Sequence, residues 1–189
     1  RDLSVVWHPY TQMKTAAPPI PIMRGEGACL YDENGKCYID AVSSWWVNIH
    51  GHAHPYIAQK VAEQLNKLEH VIFAGFTHEP AVELAERLLK ILPDNQTKVF
   101  YSDNGSTAVE VAIKMCLQYW HNQGIQRTKI LALKNAYHGD TFGAMAVSGR
   151  SAFTAALESL CGEGEVSDLP NASNIAELKS QVSSLKSEL

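Results

Sequence analysis

Nowhere in the 189 residues do about 18 apolar residues run together, so no segment qualifies as a membrane-spanning helix. An excess of basic charge is missing too. Sixteen Lys and Arg against 20 Asp and Glu leave a net charge of -4, which excludes nucleic acid as an expected partner. Cysteine is scarce: Cys29, Cys37, Cys116 and Cys161 stand far apart with no C-x-x-C pair. A chain this long does not need cross-links, and a reducing cytoplasm is the expected setting. The opening Arg1-Asp2-Leu3-Ser4 lacks the pattern of an export signal. Neither a G-x-G-x-x-G fingerprint nor a Gly-Lys-Ser/Thr phosphate loop occurs, which argues against dinucleotide-binding and Walker-type modules.

What is there is an ordinary globular composition, 46% hydrophobic and 19% charged. Residues 1–24 are aperiodic and carry Pro9, Pro18, Pro19 and Pro21, predicting an extended arm. Asn34-Gly35 between the strand-like runs 28–32 and 37–40 predicts a β-hairpin. Residues 41–54 show no period and read as a functional loop. Helices are predicted from Pro55, with Ile57, Val61, Leu65 and Leu68 on one face, and from Pro80 to Pro93. Residues 98–102 and 129–133 read as strands around a helix over 107–123, whose inward positions would be Val109, Ala112, Met115, Cys116 and Tyr119. Strand, helix, strand predicts a parallel βαβ unit and an α/β fold. Residues 162–173 read as loop. Asn174 with Glu177 then opens an amphipathic helix in which Leu189 falls with no stop signal, so a chain cut short is expected.

Chemistry is expected first at Ser102-Asp103-Asn104-Gly105-Ser106-Thr107, between a strand and a long helix. Helix N-termini carry unpaired N–H groups and partial positive charge. Gly105 lets the backbone approach an anion, and Ser106 and Thr107 add hydroxyls, so the segment can hold a phosphate. The same residue types also cap helices for stability alone. Tyr137-His138-Gly139-Asp140 follows the next strand, where open α/β sheets place their ligand crevice, and an aromatic ring there can stack on a planar cofactor or simply cover the sheet edge. His50, His52 and His54 alternate as metal ligands can. No carboxylate or cysteine completes a set nearby, Asp40 being ten residues off, and no metal is assigned. Of the neighbours Trp45 and Trp46, at least one is expected in the core. Cys116 reads as a small core hydrophobe rather than a nucleophile.

Four stretches taken in order, Trp7-His8-Pro9-Tyr10-Thr11-Gln12-Met13, Ser43-Ser44-Trp45-Trp46, Gly105-Ser106-Thr107-Ala108-Val109-Glu110 and Tyr137-His138-Gly139-Asp140-Thr141-Phe142-Gly143-Ala144-Met145, closely resemble the class III pyridoxal-phosphate aminotransferases. The likeness runs from about Trp7 to Phe153. It implies the N-terminal portion of a fold type I, aspartate-aminotransferase-like α/β enzyme. Residues 1–54 would be arm, hairpin and substrate loop of a small domain, and 55–189 the first part of the large cofactor-binding domain.

By the same resemblance, Gly105 and Ser106 hold the phosphate of pyridoxal 5'-phosphate, Tyr137 stacks on its ring with His138 and Asp140 in support, and Tyr10, Trp45 and Tyr137 line the substrate pocket. Trp46 would pack behind. The arm and the double Trp most resemble the members that aminate 8-amino-7-oxononanoate from S-adenosylmethionine in biotin synthesis. A class III member with another amine donor, or a short non-catalytic paralogue serving as a binding subunit, are the alternatives. The resemblance also implies a homodimer. No lysine present, including Lys98, Lys129 and Lys134, sits in the family's Schiff-base context, so no catalytic residue is named and the isolated chain is expected to be inactive.

Overall fold

The computed structural model describes residues 1–133, 135–149, 154–157, 159 and 166–169. The predicted final helix from Asn174 lies outside them, as do Lys134 and Cys161. Contacts gather the chain into two units, Arg1–Leu84 and Ala85–Leu189.

In the first unit, a 3-10 turn at Asp2–Ser4 opens an arm that ends in strand β1 (Ile22–Glu26). Strands β2 (Cys29–Asp32) and β3 (Cys37–Ile39) form the predicted hairpin. The tight connection follows from Asp32, whose carboxylate accepts the N–H groups of Asn34 and Lys36, both at 2.9 Å, while Gly35 takes φ +79. Asx bonding and a left-handed glycine are what such a turn requires.

β1 pairs antiparallel with β2, giving the order β1-β2-β3 with Glu26 opposite Cys29 and Cys29 opposite Ile39. The extended arm therefore ends three residues earlier than composition suggested. Its last residues gain ladder bonds, and Arg24 lays its guanidinium 3.5 Å above the ring of its cross-strand partner Tyr31.

After β3 comes a single helical turn, α1 (Ser43–Trp46), then α2 (Pro55–Leu65) with Pro55 in its first turn. α3 (Glu79–Leu89) carries the chain into the second unit.

There α4 (Gly105–Asn122) starts on a capping box: the Asn104 side chain accepts the Thr107 N–H at 3.0 Å, and the Thr107 hydroxyl accepts the Asn104 N–H at 3.1 Å. Gly124, at φ +70, follows its end. β4 (Ile130–Leu133) pairs in parallel with β5 (Val166–Leu169), and the short helix α5 (Phe142–Ala146) packs on α4. The buried side chains described are Ala132, Ala144, Met145, Val147 and Thr154.

Three sequence expectations are corrected here. Residues 98–102 are not a strand; no described segment supplies their ladder, and an unpaired run of β-formers does not become one. The parallel partner of β4 is instead β5, inside the stretch read as loop, because Ser167 and Asp168 hide its strand character. On α4, Met115, Cys116 and Tyr119 are exposed, and Ala112 with them. The half-buried positions include Ser106, Val109, Glu110 and Ile113, since the helix turns part of that face towards α5.

Candidate active site

The phosphate-like corner is built from two loops that the fold of the second unit brings together across 34 positions of sequence. The backbone N–H of Asp140 donates to the Ser106 hydroxyl at 3.0 Å. The approach depends on Gly139, buried at φ +131: a Cβ there would lie 2.7 Å from Ser106 Cα. One residue on, the Thr141 hydroxyl donates to the Glu110 carboxylate at 2.8 Å. Glu110 also accepts the N–H groups of Gly143 and Ala144 at the start of α5, and these bonds, the Thr141 hydroxyl foremost, draw its carboxyl below the ordinary range. Glu110 thus clamps α5 to α4.

Tyr137 leaves this clamp with 72% of its surface exposed and its phenol donating to Asp140 at 2.7 Å. Behind it, the His138 N–H donates to the Ser148 hydroxyl at 2.9 Å, and Gly149 N–H to the Ala136 carbonyl at 2.7 Å. Residues 136–149 therefore close into a loop that leaves the Tyr137 ring exposed.

The fit to a phosphate can be tested on the donor set. The first intrahelical bond of α4 is Ala108 N–H to the Asn104 carbonyl at 3.0 Å, and Thr107 N–H is taken by the cap, which leaves the N–H groups of Gly105 and Ser106 at the positive end of the helix. Space beside Gly105 is open, with nothing within 4 Å of where its Cβ would be. Ser106 accepts from Asp140 and keeps its own proton to donate. Thr107 does not join them: its hydroxyl donates within the cap, to the Asn104 carbonyl at 3.0 Å. The expectation of a second hydroxyl donor there is corrected. With two backbone donors and one hydroxyl, the corner fits an anion of phosphate size.

In the first unit the structure brings together Tyr10 and Trp45, whose rings stack 5.5 Å apart at 16°. Trp46 meets Trp45 edge-on at 5.6 Å. Both indoles are exposed, 62% and 71%, so the expectation that one enters the core fails. The reason lies in the backbone. Ser43, Ser44, Trp45 and Trp46 all take positive φ, between 47° and 68°, which turns neighbouring side chains along a left-handed coil instead of to opposite faces.

Asp40, set aside as too distant in sequence, accepts the Ser44 hydroxyl at 2.6 Å and bonds to the ring of His52 at 2.8 Å. The only sequence signal was the recurrence of His and Asp around one aperiodic loop. No metal-ligating cluster is present among the described residues, and His52 is committed to Asp40.

The Asp40 carboxyl is lowered from 3.8 to about 2, mainly by the hydroxyl and N–H of Ser44 and then by His52. A folded value below the unfolded one means that its stabilisation is present above 3.8 and lost as pH falls towards 2. Stability to denaturant is expected to fall across that acid window, and the Asp40→Asn variant to lose this step.

Comparison with known proteins places the chain in a family. The family profile described as Aminotransferase class-III covers residues 10–188. The chain belongs to the class III aminotransferase family.

Among curated proteins, the adenosylmethionine-8-amino-7-oxononanoate aminotransferase of Synechococcus elongatus is 58% identical over 155 residues, covering 82% of this chain and 37% of the relative. That of Staphylococcus aureus is 45% identical over 159 residues, covering 81% and 35%. Among solved structures, the enzyme of the same name from Methanocaldococcus jannaschii gives a TM-score of 0.86 at 40% identity, covering 97% of this chain and 43% of that one. A transaminase from the marine bacterium Virgibacillus gives 0.82 at 28% identity, covering 99% and 44%. This class III aminotransferase chain thus spans little more than a third of the curated relatives it matches. The α/β, fold type I architecture is that of these relatives, and no helix among the described residues is long and apolar enough to cross a membrane.

Proposed function

We propose that the protein carrying this chain transfers an amino group from S-adenosylmethionine to 8-amino-7-oxononanoate, forming 7,8-diaminononanoate in biotin synthesis, with pyridoxal 5'-phosphate as cofactor. The observation that carries this reading is the clasp between Ser106 and Asp140, which sets phosphate donors and an exposed aromatic ring on one corner of the second unit. The names borne by relatives up to 58% identical support the substrates.

Pyridoxal phosphate supplies an electron sink that lets an amino group leave one carbon and enter another. The residues of this chain bind and orient. Gly105 and Ser106 N–H groups with the Ser106 hydroxyl would hold the phosphate, Tyr137 would lie against the ring, and Asp140 fixes the Tyr137 phenol while His138 anchors the loop through its backbone. Tyr10 and Trp45 would form a flat wall for substrate. Residues 1–54 would then belong to a small domain and 55–189 to the first part of the cofactor-binding domain, in a cytoplasmic homodimer. The lysine that carries the cofactor would come from sequence beyond these residues, so the 189 residues alone are expected to give no turnover.

Two measurements test this. S-adenosylmethionine added alone to the natural-length protein should convert bound cofactor to its amine form, seen in the visible spectrum. Conversion only by another amine would assign a different donor, and no conversion by any amine would leave a binding role. Ser106→Ala should weaken pyridoxal phosphate binding roughly 10- to 100-fold, the size of one lost bond to a charged group. Unchanged affinity would remove Ser106 from the site.

A further inference from the structure

We infer that Asp40 is a positioning residue, whose carboxylate holds the left-handed turn α1 in the shape that lays Trp45 flat against Tyr10. This rests on the reading of Tyr10 and Trp45 as a substrate wall, and extends it to a residue that touches neither ring.

The turn needs a holder. Left-handed helical backbone crowds the Cβ of every non-glycine residue against the following carbonyl oxygen, and α1 has four such residues in succession with no glycine among them. Backbone outliers of this kind persist only where their surroundings over-determine them. Packing does little here, since Trp45 and Trp46 are mostly exposed.

Polar contacts supply the restraint. α1 makes its own bonds, Trp46 N–H to the Val42 carbonyl at 2.8 Å and Val47 N–H to the Ser43 carbonyl at 3.0 Å, and Asp40 ties its first residues down, its carboxylate accepting the Ser44 hydroxyl at 2.6 Å and its backbone carbonyl the Ser43 N–H at 3.2 Å.

Asp40 is itself fixed to the sheet by two routes. Its N–H donates to the Ala28 carbonyl at 2.9 Å, and its carboxylate meets His52, whose backbone exchanges bonds with Gly27 at 2.8 and 3.2 Å. That junction is tight: a Cβ on Gly25 would come within 2.6 Å of His52 Cβ. Force therefore passes from the hairpin sheet through His52 and Asp40 to Ser44, and so to the indole that follows. Asp40 and His52 are largely shielded, with side-chain exposures of 6% and 14%.

The test is fluorine NMR on the full chain labelled with 5-fluorotryptophan, which gives one resonance for each of Trp7, Trp45, Trp46 and Trp120, assigned by Trp→Phe substitution. Tyr10→Leu should move the Trp45 line by removing the stacked ring. Asp40→Ala should move the same line, and leave that of Trp120, in the second unit, in place. Asp40→Asn keeps a side-chain oxygen able to accept from the Ser44 hydroxyl and the His52 ring and should restore most of the native shift. If Asp40→Ala unfolds the unit, Ser44→Ala removes the hydroxyl bond to Asp40 and leaves the His52 bond, and should displace the Trp45 line by less. A Trp45 line unmoved by both Asp40→Ala and Ser44→Ala, or unmoved by Tyr10→Leu, overturns the inference.

A separate arm adds S-adenosylmethionine and then 8-amino-7-oxononanoate to the unsubstituted protein. Movement of the Trp45 line supports the substrate wall. No movement refutes that wall while leaving the positioning result to stand on the substitutions.

Discussion

Gly139→Ala is expected to cost about 2–4 kcal/mol of stability in the second unit and to lower pyridoxal phosphate affinity at least 100-fold. Two effects add. At φ +131 only glycine sits without strain, a penalty of about 1–3 kcal/mol for other residues. The new methyl would also meet Ser106 at its Cα and Cβ, 2.7 and 2.6 Å away, so the two loops must part and the Asp140 N–H loses its acceptor. The control is Gly124→Ala, likewise at positive φ but with open space around it. It should cost only about 1 kcal/mol and leave cofactor binding unchanged. Denaturant titration with cofactor binding measured on both variants checks this; equal cofactor affinities would show that the Gly139 approach does not build the site.

Glu110→Ala should destabilise the same unit by about 2 kcal/mol, because it strips an acceptor from the Thr141 hydroxyl and from two N–H groups at the start of α5. Glu110→Gln keeps the shape and one carbonyl oxygen and should lose about half as much. The ordering has a mechanistic sequel: Tyr137 and Asp140 hang from the segment that Glu110 clamps, so loss of stability and loss of cofactor should run together across the pair. Both variants unfolding at the native denaturant midpoint would mean that the carboxylate is a surface group and that α5 is held by Ala144 and Met145 alone, which are buried.

The features legible in sequence were those made by neighbours. Asn34-Gly35 specified its hairpin because the Asp32 cap and the left-handed glycine lie within four residues of each other. Asn104 and Thr107 cap α4 three residues apart. Gly105, Ser106, Tyr137 and Asp140 were singled out by helix-terminus and strand-end arguments together with family resemblance, and the structure joins Ser106 to Asp140.

What escaped were pairings over distance and backbone of unusual hand. Nothing in the polar stretch 166–169 marks it as the partner of β4, because a parallel strand is defined by its ladder more than by its own residues. Adjacent aromatics such as Trp45 and Trp46 imply an extended pair, whereas the left-handed turn they occupy gives no hydrophobic period to recognise. Asp40 and His52 are twelve positions apart, and only the bridge between Gly27 and His52 makes them neighbours.

We propose that these residues form the phosphate-holding front of a pyridoxal-phosphate aminotransferase. The most direct test is the intact mass of the protein from its natural source after borohydride reduction, which fixes a lysine-bound cofactor covalently. The expected mass is well above the 20.8 kDa of these 189 residues, increased by one pyridoxyl phosphate. An unmodified protein of 20.8 kDa would contradict it, and would leave the Ser106 corner as a binding site without transamination.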